Sequence, residues 1–130
     1  MYKTINENGF EYIESGEGPV IILLHGLMGG IDNFEGIIDE LPKIGFKVVG
    51  PILPLFEKPM LKTSISHFTK YVYDFINFKG YKKITLLGNS LGGHISLVFA
   101  KKYPDLVKSL VLTGSSGLYE NSMGDSFPRR

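Results

Sequence analysis

Lys83-Ile84-Thr85-Leu86-Leu87-Gly88-Asn89-Ser90-Leu91-Gly92-Gly93-His94 is the stretch on which the reading of this chain turns. An apolar, partly β-branched run, Lys83 to Leu87, reads as a strand. It passes through glycines and one serine into a segment with helical apolar spacing that Pro104 bounds. Within it, Gly88-Asn89-Ser90-Leu91-Gly92 fits G-x-S-x-G between a strand and a helix, the context a nucleophile elbow requires. The physical expectation is specific. A sharp strand-to-helix turn holds the Ser90 backbone in a strained conformation and presents its Oγ, and glycines are needed because strand and helix pass close together. The N–H of Leu91 then opens a helix, where it can stabilise a developing oxyanion. The plain alternative is an ordinary Gly-Ser turn in an α/β protein.

Working toward the amino terminus, Val20-Ile21-Ile22-Leu23-Leu24 is a continuous apolar run, as expected of a strand buried on both faces. It ends in the glycine-rich His25-Gly26-Leu27-Met28-Gly29-Gly30. In open parallel sheets this carboxyl edge is where ligands bind. Such a loop can turn a backbone N–H toward the serine, and Leu27 is the expected donor. His25 is expected to order its own loop by bonding backbone groups, not to serve as the base, which must reach Ser90 Oγ. Phosphate binding finds no support, since no G-x-x-x-x-G-K-[ST] occurs.

Other elements follow from periodicity. Phe10 to Glu14 reads as a short strand, and Met1 to Glu7 shows no apolar core. Ile31, Phe34, Ile37, Ile38, Leu41 and Ile44 recur at three and four, predicting one amphipathic helix with an Asp32/Glu35 capping box and Gly45 at its end. Phe46 to Val49 is a strand before a Pro-rich loop. Thr63 or Ser64 caps a second helix with Ile65, Phe68, Val72, Phe75 and Ile76 inward and Gly80 closing it. Val107 to Leu112 is a last, edge strand. Right-handed crossovers then imply an α/β fold, a mostly parallel sheet with helices on both faces.

Composition narrows the classes. The chain has 130 residues, 43% hydrophobic and 21% charged, enough for one domain with a real core. A net charge of +1 gives no electrostatic reason to expect nucleic acid or a membrane surface as partner. The absence of cysteine excludes disulfides, a thiol nucleophile and Cys-ligated metal, and three scattered histidines make no metal site. No cofactor is implied. The longest apolar run is far too short to span a bilayer, and the amino terminus is not a signal peptide, so the cytoplasm is the expected location.

Taken together, the His25-to-Gly30 loop, the Gly88-to-His94 elbow and Tyr103-Pro104-Asp105 with its following strand resemble the α/β-hydrolase fold superfamily, over nearly the whole chain in order and spacing. The resemblance corresponds to the amino-terminal half of a usual member. It implies that Ser90 attacks a carbonyl, with Leu91 and Leu27 as oxyanion donors and His25, Gly26, Gly88 and Gly92 as supports. It also implies an acid and a histidine later in the chain. Here the order breaks. His94 follows Ser90 by four residues inside the same helix, His67 opens the second helix, and the acids after Ser90 are Asp105, Glu120 and Asp125. Asp39 and Asp74 read as solvated helix-face residues. No triad closes within these residues. The expectation is therefore a serine hydrolase acting on an apolar small-molecule ester, truncated after the strand that follows the elbow helix. Residues 1–113 would be the core and 114–130 a loop or the start of a cap. The alternatives are a small-ligand-binding or partner-complemented form of the fold, completed by the missing half or another chain at the edge strand, and carbon–carbon bond hydrolysis or perhydrolysis at the same serine.

Overall fold

The computed structural model describes residues 3–26, 30–54 and 64–114, without the side chains of Asn33 and Ser64. The expected oxyanion donor Leu27, the helix cap Thr63, the acids Glu120 and Asp125, and the cap segment from 115 onward lie outside the described residues.

Six strands form one sheet: β1 (Thr4–Glu7), β2 (Phe10–Ser15), β3 (Val20–Leu24), β4 (Lys47–Pro51), β5 (Ile84–Asn89) and β6 (Val107–Thr113). Their order across the sheet is β1-β2-β4-β3-β5-β6. β4, β3, β5 and β6 run parallel, and the β1–β2 hairpin adds antiparallel to β4. The expected α/β fold with a mostly parallel sheet is what the chain adopts.

The central run is buried on both faces because each face meets a separate core. Ile22 and Leu24 pack with Phe68, Val72, Phe75 and Ile76 of α2 (Ser64–Lys79) and with Ile95 and Phe99 of α3 (Leu91–Lys102). Ile21 and Leu23 pack with Ile31, Phe34 and Ile38 on the opposite face. The period of two along β3 thus serves two helical layers at once.

Three sequence expectations need correction. The helix expected over Ile31 to Ile44 is broken into a 3-10 turn (Gly30–Phe34), a short α1 (Glu35–Glu40) and a second 3-10 turn (Leu41–Ile44). α1 starts from Phe34, whose side chain makes no cap bond, so the α-helix begins after Asp32 and not from it. Pro42 stands at the start of the second turn and has no N–H to donate, so α-helical bonding stops there. The consequence is that Ile44, placed on the inner face by periodicity, is 69% exposed. Gly45 does end the segment, at φ 97°. Second, the first strand is not Phe10 to Glu14 but Thr4–Glu7, an element the sequence reading did not include, which gains its bonds from the partner β2. Third, β5 runs through Gly88 to Asn89, so the elbow glycine belongs to the strand.

One ionic cluster lies at the amino edge of the sheet. Glu14 accepts from Lys79 at 3.1 Å and from the Tyr81 hydroxyl at 3.3 Å, with Lys47 at 3.6 Å. Lys79 also donates to Tyr12 Oη at 3.0 Å. Burial opposes charge on Glu14, but these partners outweigh it and hold its carboxyl below the usual range. The cluster ties the hairpin to the end of α2 and leaves the opposite edge for the serine.

The fold separates two isoleucines that share one spacing in the sequence. Ile38→Ala, at a buried site on α1, is expected to cost about 2–5 kcal/mol, whereas Ile44→Ala stays within about 0.5 kcal/mol. Urea unfolding of both variants measures this, and equal losses would restore the continuous amphipathic helix.

Candidate active site

Ser90 lies between β5 and α3 with φ 59° and ψ −119°, a left-handed conformation that non-glycine residues rarely adopt. Both of its peptide groups are engaged. Its N–H donates to the Thr113 carbonyl at 3.3 Å, and its carbonyl accepts from Gly93 at 2.9 Å and His94 at 3.3 Å. Its side chain makes no capping bond to the helix it precedes. A serine at a helix start ordinarily caps it. Here the backbone turn points the hydroxyl elsewhere.

Two glycines make the turn possible. A Cβ at Gly88 would come within 2.5 Å of both the Gly92 carbonyl oxygen and Ser96 Oγ. A Cβ at Gly92 would run into the Leu24 carbonyl and stand 2.9 Å from that of His25. The start of α3 therefore rests directly on the backbone at the end of β3. Ser96, fully buried, donates to the Gly92 carbonyl at 2.8 Å.

Gly26, just past the end of β3, lies against the serine. A Cβ on Gly26 would lie 2.9 Å from Ser90 Cβ and 3.3 Å from Ser90 Oγ. His25 is 4% exposed and uses both ring nitrogens on backbone groups. Leu53 N–H donates to Nε2 at 2.9 Å, which assigns the proton to Nδ1, and Nδ1 donates to the Gly26 carbonyl at 2.9 Å. The ring thus joins the loops that follow β3 and β4. Burial lowers its pKa, partly offset by the bond to Gly26. With both nitrogens committed, it has no lone pair for the Ser90 proton.

The other titratable residues are dispersed. His67 is on the exposed side of α2, edge-on to Phe68 at 5.4 Å. His94 is half-buried in the first turn of α3, its backbone N–H on the Ser90 carbonyl. Asp74 pairs with Lys70 at 2.7 Å on the outside of α2. Asp39 is exposed on α1, and Asp105 is exposed in the short turn after Pro104. The structure brings Ser90, Gly26, His25, Gly88, Leu91 and Gly92 together, while His67 and these acids are exposed. Among the described residues no group of three or more His, Cys, Asp or Glu could hold a metal ion. Nor is any described helix long and apolar enough to cross a membrane. Sequence reasoning missed Leu53 and Thr113, whose backbone groups reach the site from the loop after β4 and from the end of β6, because no local pattern marks a backbone partner.

The family model described as the alpha/beta hydrolase fold matches residues 19–129. The chain belongs to this family. A solved structure of MGS-MChE2, an alpha/beta hydrolase enzyme from the sediment metagenome of the Mar Chica lagoon, Morocco, is 45% identical with a TM-score of 0.80. It matches over 95% of this chain and 59% of its own. A 2-hydroxy-6-oxo-6-(2'-aminophenyl)hexa-2,4-dienoic acid hydrolase from Metapseudomonas resinovorans is 33% identical over 125 residues, 88% of this chain and 42% of the relative. Lipase 1 from Psychrobacter immobilis is 36% identical over 115 residues, 83% of this chain and 36% of the relative. The chain thus spans less than half the length of these two curated relatives, both of them hydrolases.

Two outcomes follow from the geometry. Gly92→Ala forces the helix start off β3 and is expected to destabilise the fold by about 3 kcal/mol or more, measured by denaturant unfolding. For His25, the folded pKa lies below that of the unfolded chain. Between the two values the unfolded chain binds a proton that the folded chain does not, so stability falls as pH drops below about 6.5. His25→Gln is expected to flatten that decline between pH 7 and 5.5. An unchanged slope would assign it to other groups.

Proposed function

We propose that this chain carries the nucleophile and oxyanion donors of a serine hydrolase, with carboxylic esters as substrates. The observation that supports it most is the left-handed Ser90, held at both peptide groups while its hydroxyl makes no cap bond, directly beneath Gly26. Strain at a polar, accessible side chain is characteristic of a working residue.

In this reading Ser90 Oγ attacks the ester carbonyl carbon and the carbonyl oxygen becomes an oxyanion. The N–H groups of Leu91, at the start of α3, and of Leu27 receive it. The Ser90 proton passes to a histidine, which returns it to the departing alcohol as the tetrahedral intermediate collapses to an acyl-enzyme. Water, deprotonated by the same histidine, releases the acid and restores the serine. Both His25 nitrogens are occupied, so we assign the histidine and its orienting acid to the remainder of the hydrolase, consistent with the greater length of the relatives. His25, Gly26, Gly88 and Gly92 shape the loop and elbow around the nucleophile.

A second reading keeps the serine and changes the bond broken. The 33% identity to a dienoic acid hydrolase favours cleavage next to a ketone carbonyl, with a carbon leaving group in place of an alkoxide. A third, ligand or partner binding without chemistry, draws on β6. It is the outermost described strand on its side, and Val111 and Leu112 are each 42% exposed.

A fluorophosphonate probe on the intact protein separates chemistry from binding. Covalent labelling that maps to Ser90 and disappears in Ser90→Ala is expected. A wild-type protein that stays unlabelled at Ser90 removes the serine-nucleophile reading, leaving binding. Steady-state assays with p-nitrophenyl butyrate and with a vinylogous 1,5-diketone then distinguish ester from carbon–carbon substrates.

A further inference from the structure

The elbow is held from the side by the end of β6, and this contact is not one of the motifs that mark the site. Thr113 and Gly114 meet Asn89 and Ser90 through three separate features, two from Thr113 and one from Gly114. Its carbonyl accepts the Ser90 N–H at 3.3 Å. Its Oγ1 donates to Asn89 Oδ1 at 3.2 Å. The next residue, Gly114, turns away at φ 100° in a space where a Cβ would strike Asn89 Oδ1 and stand 3.0 Å from Ser90 N. The first and third features act on the same peptide nitrogen, whose position sets the φ of the serine.

We propose that Thr113 and Gly114 are positioning residues for Ser90: together they clamp the peptide that precedes the nucleophile and thereby fix the direction of its hydroxyl. The physical need is clear. A left-handed serine is strained, and strain persists only where surrounding contacts over-determine it. Helix α3 holds the Ser90 carbonyl side through Gly93 and His94, and the Thr113 carbonyl holds the amide side. The Asn89–Thr113 side-chain bond lies on the exposed surface, so water can replace it for folding. Its loss releases the peptide plane without unfolding the sheet. A displacement of well under an ångström at the nucleophile is costly to reaction and nearly free to stability.

This inference rests on Ser90 being the nucleophile, so the test reads both. The second-order rate of fluorophosphonate labelling is measured on the intact protein for the wild type, Thr113→Val, Thr113→Ser and Gly114→Ala, each well below its unfolding temperature. Thr113→Val keeps shape and loses the hydroxyl, and about a fivefold slower rate is expected. Thr113→Ser retains the hydroxyl and stays within about twofold of wild type. Gly114→Ala presses on Asn89 Oδ1 and the Ser90 nitrogen, and slows labelling by about tenfold. In an Asn89→Ala background the Thr113→Val effect vanishes, because the bond it removes is already gone. A merely structural role would shift unfolding temperature and leave the labelling rate unchanged. If Ser90 is labelled and Thr113→Val reacts as fast as wild type, or loses the same factor without Asn89, the clamp is overturned and the nucleophile stands. If wild-type Ser90 is never labelled, both fall.

Discussion

Everything at the carboxyl edge of this sheet depends on one steric contact, the seating of Gly92 at the start of α3 against the Leu24 carbonyl at the end of β3. A helix whose first turn touches a neighbouring strand leaves no length for a gradual exit from β5. The chain must turn within a single residue, and that residue is Ser90, at φ 59°. The strain at the serine is the local cost of that close approach. It is offset by the two buried layers that hold β3, β5 and α3 in place. Removing side-chain volume at Gly88 and Gly92 is therefore a condition of the site, and backbone density around the serine is its result.

That density explains how His25 is used. Adjacent loops after β3 and β4 need their backbone groups satisfied where little water reaches. A neutral imidazole, one donor and one acceptor on a rigid ring, bridges the Gly26 carbonyl and the Leu53 N–H. Burial favours the neutral ring and outweighs the opposing bond to the Gly26 carbonyl. Glu14, Lys47 and Lys79 gather at the other end of the strands, where they fasten the hairpin. Family membership fits this division: residues 19–129, which match the family, include the elbow, the His25–Gly26 stretch and the parallel strands.

How far the sequence carried can be judged residue by residue. Val20 to Leu24, Phe68, Val72, Phe75 and Ile76 were legible because burial on a regular element imposes a period, and the period survives in one dimension. Ser90 was legible because strand, glycines and helix are contiguous. The segment Ile31 to Ile44 misled for the complementary reason. Its spacing is helical, yet Pro42 breaks the hydrogen-bond ladder and Ile44 turns outward. Thr4–Glu7 was invisible because an edge strand of a hairpin takes its order from its partner.

The sequence by itself determined the α/β class, the alternation of elements, the elbow and its serine, since each is written in residues adjacent along the chain. Only the tertiary structure decided what His25 bonds, that Thr113 and Gly114 close on the elbow, and that His67 and Asp74 are exposed. The physical reason is range. Propensity and periodicity act over one turn or one strand, whereas a hydrogen bond between residues 25 and 53, or 90 and 113, exists only after the sheet has set the register that brings their backbones together.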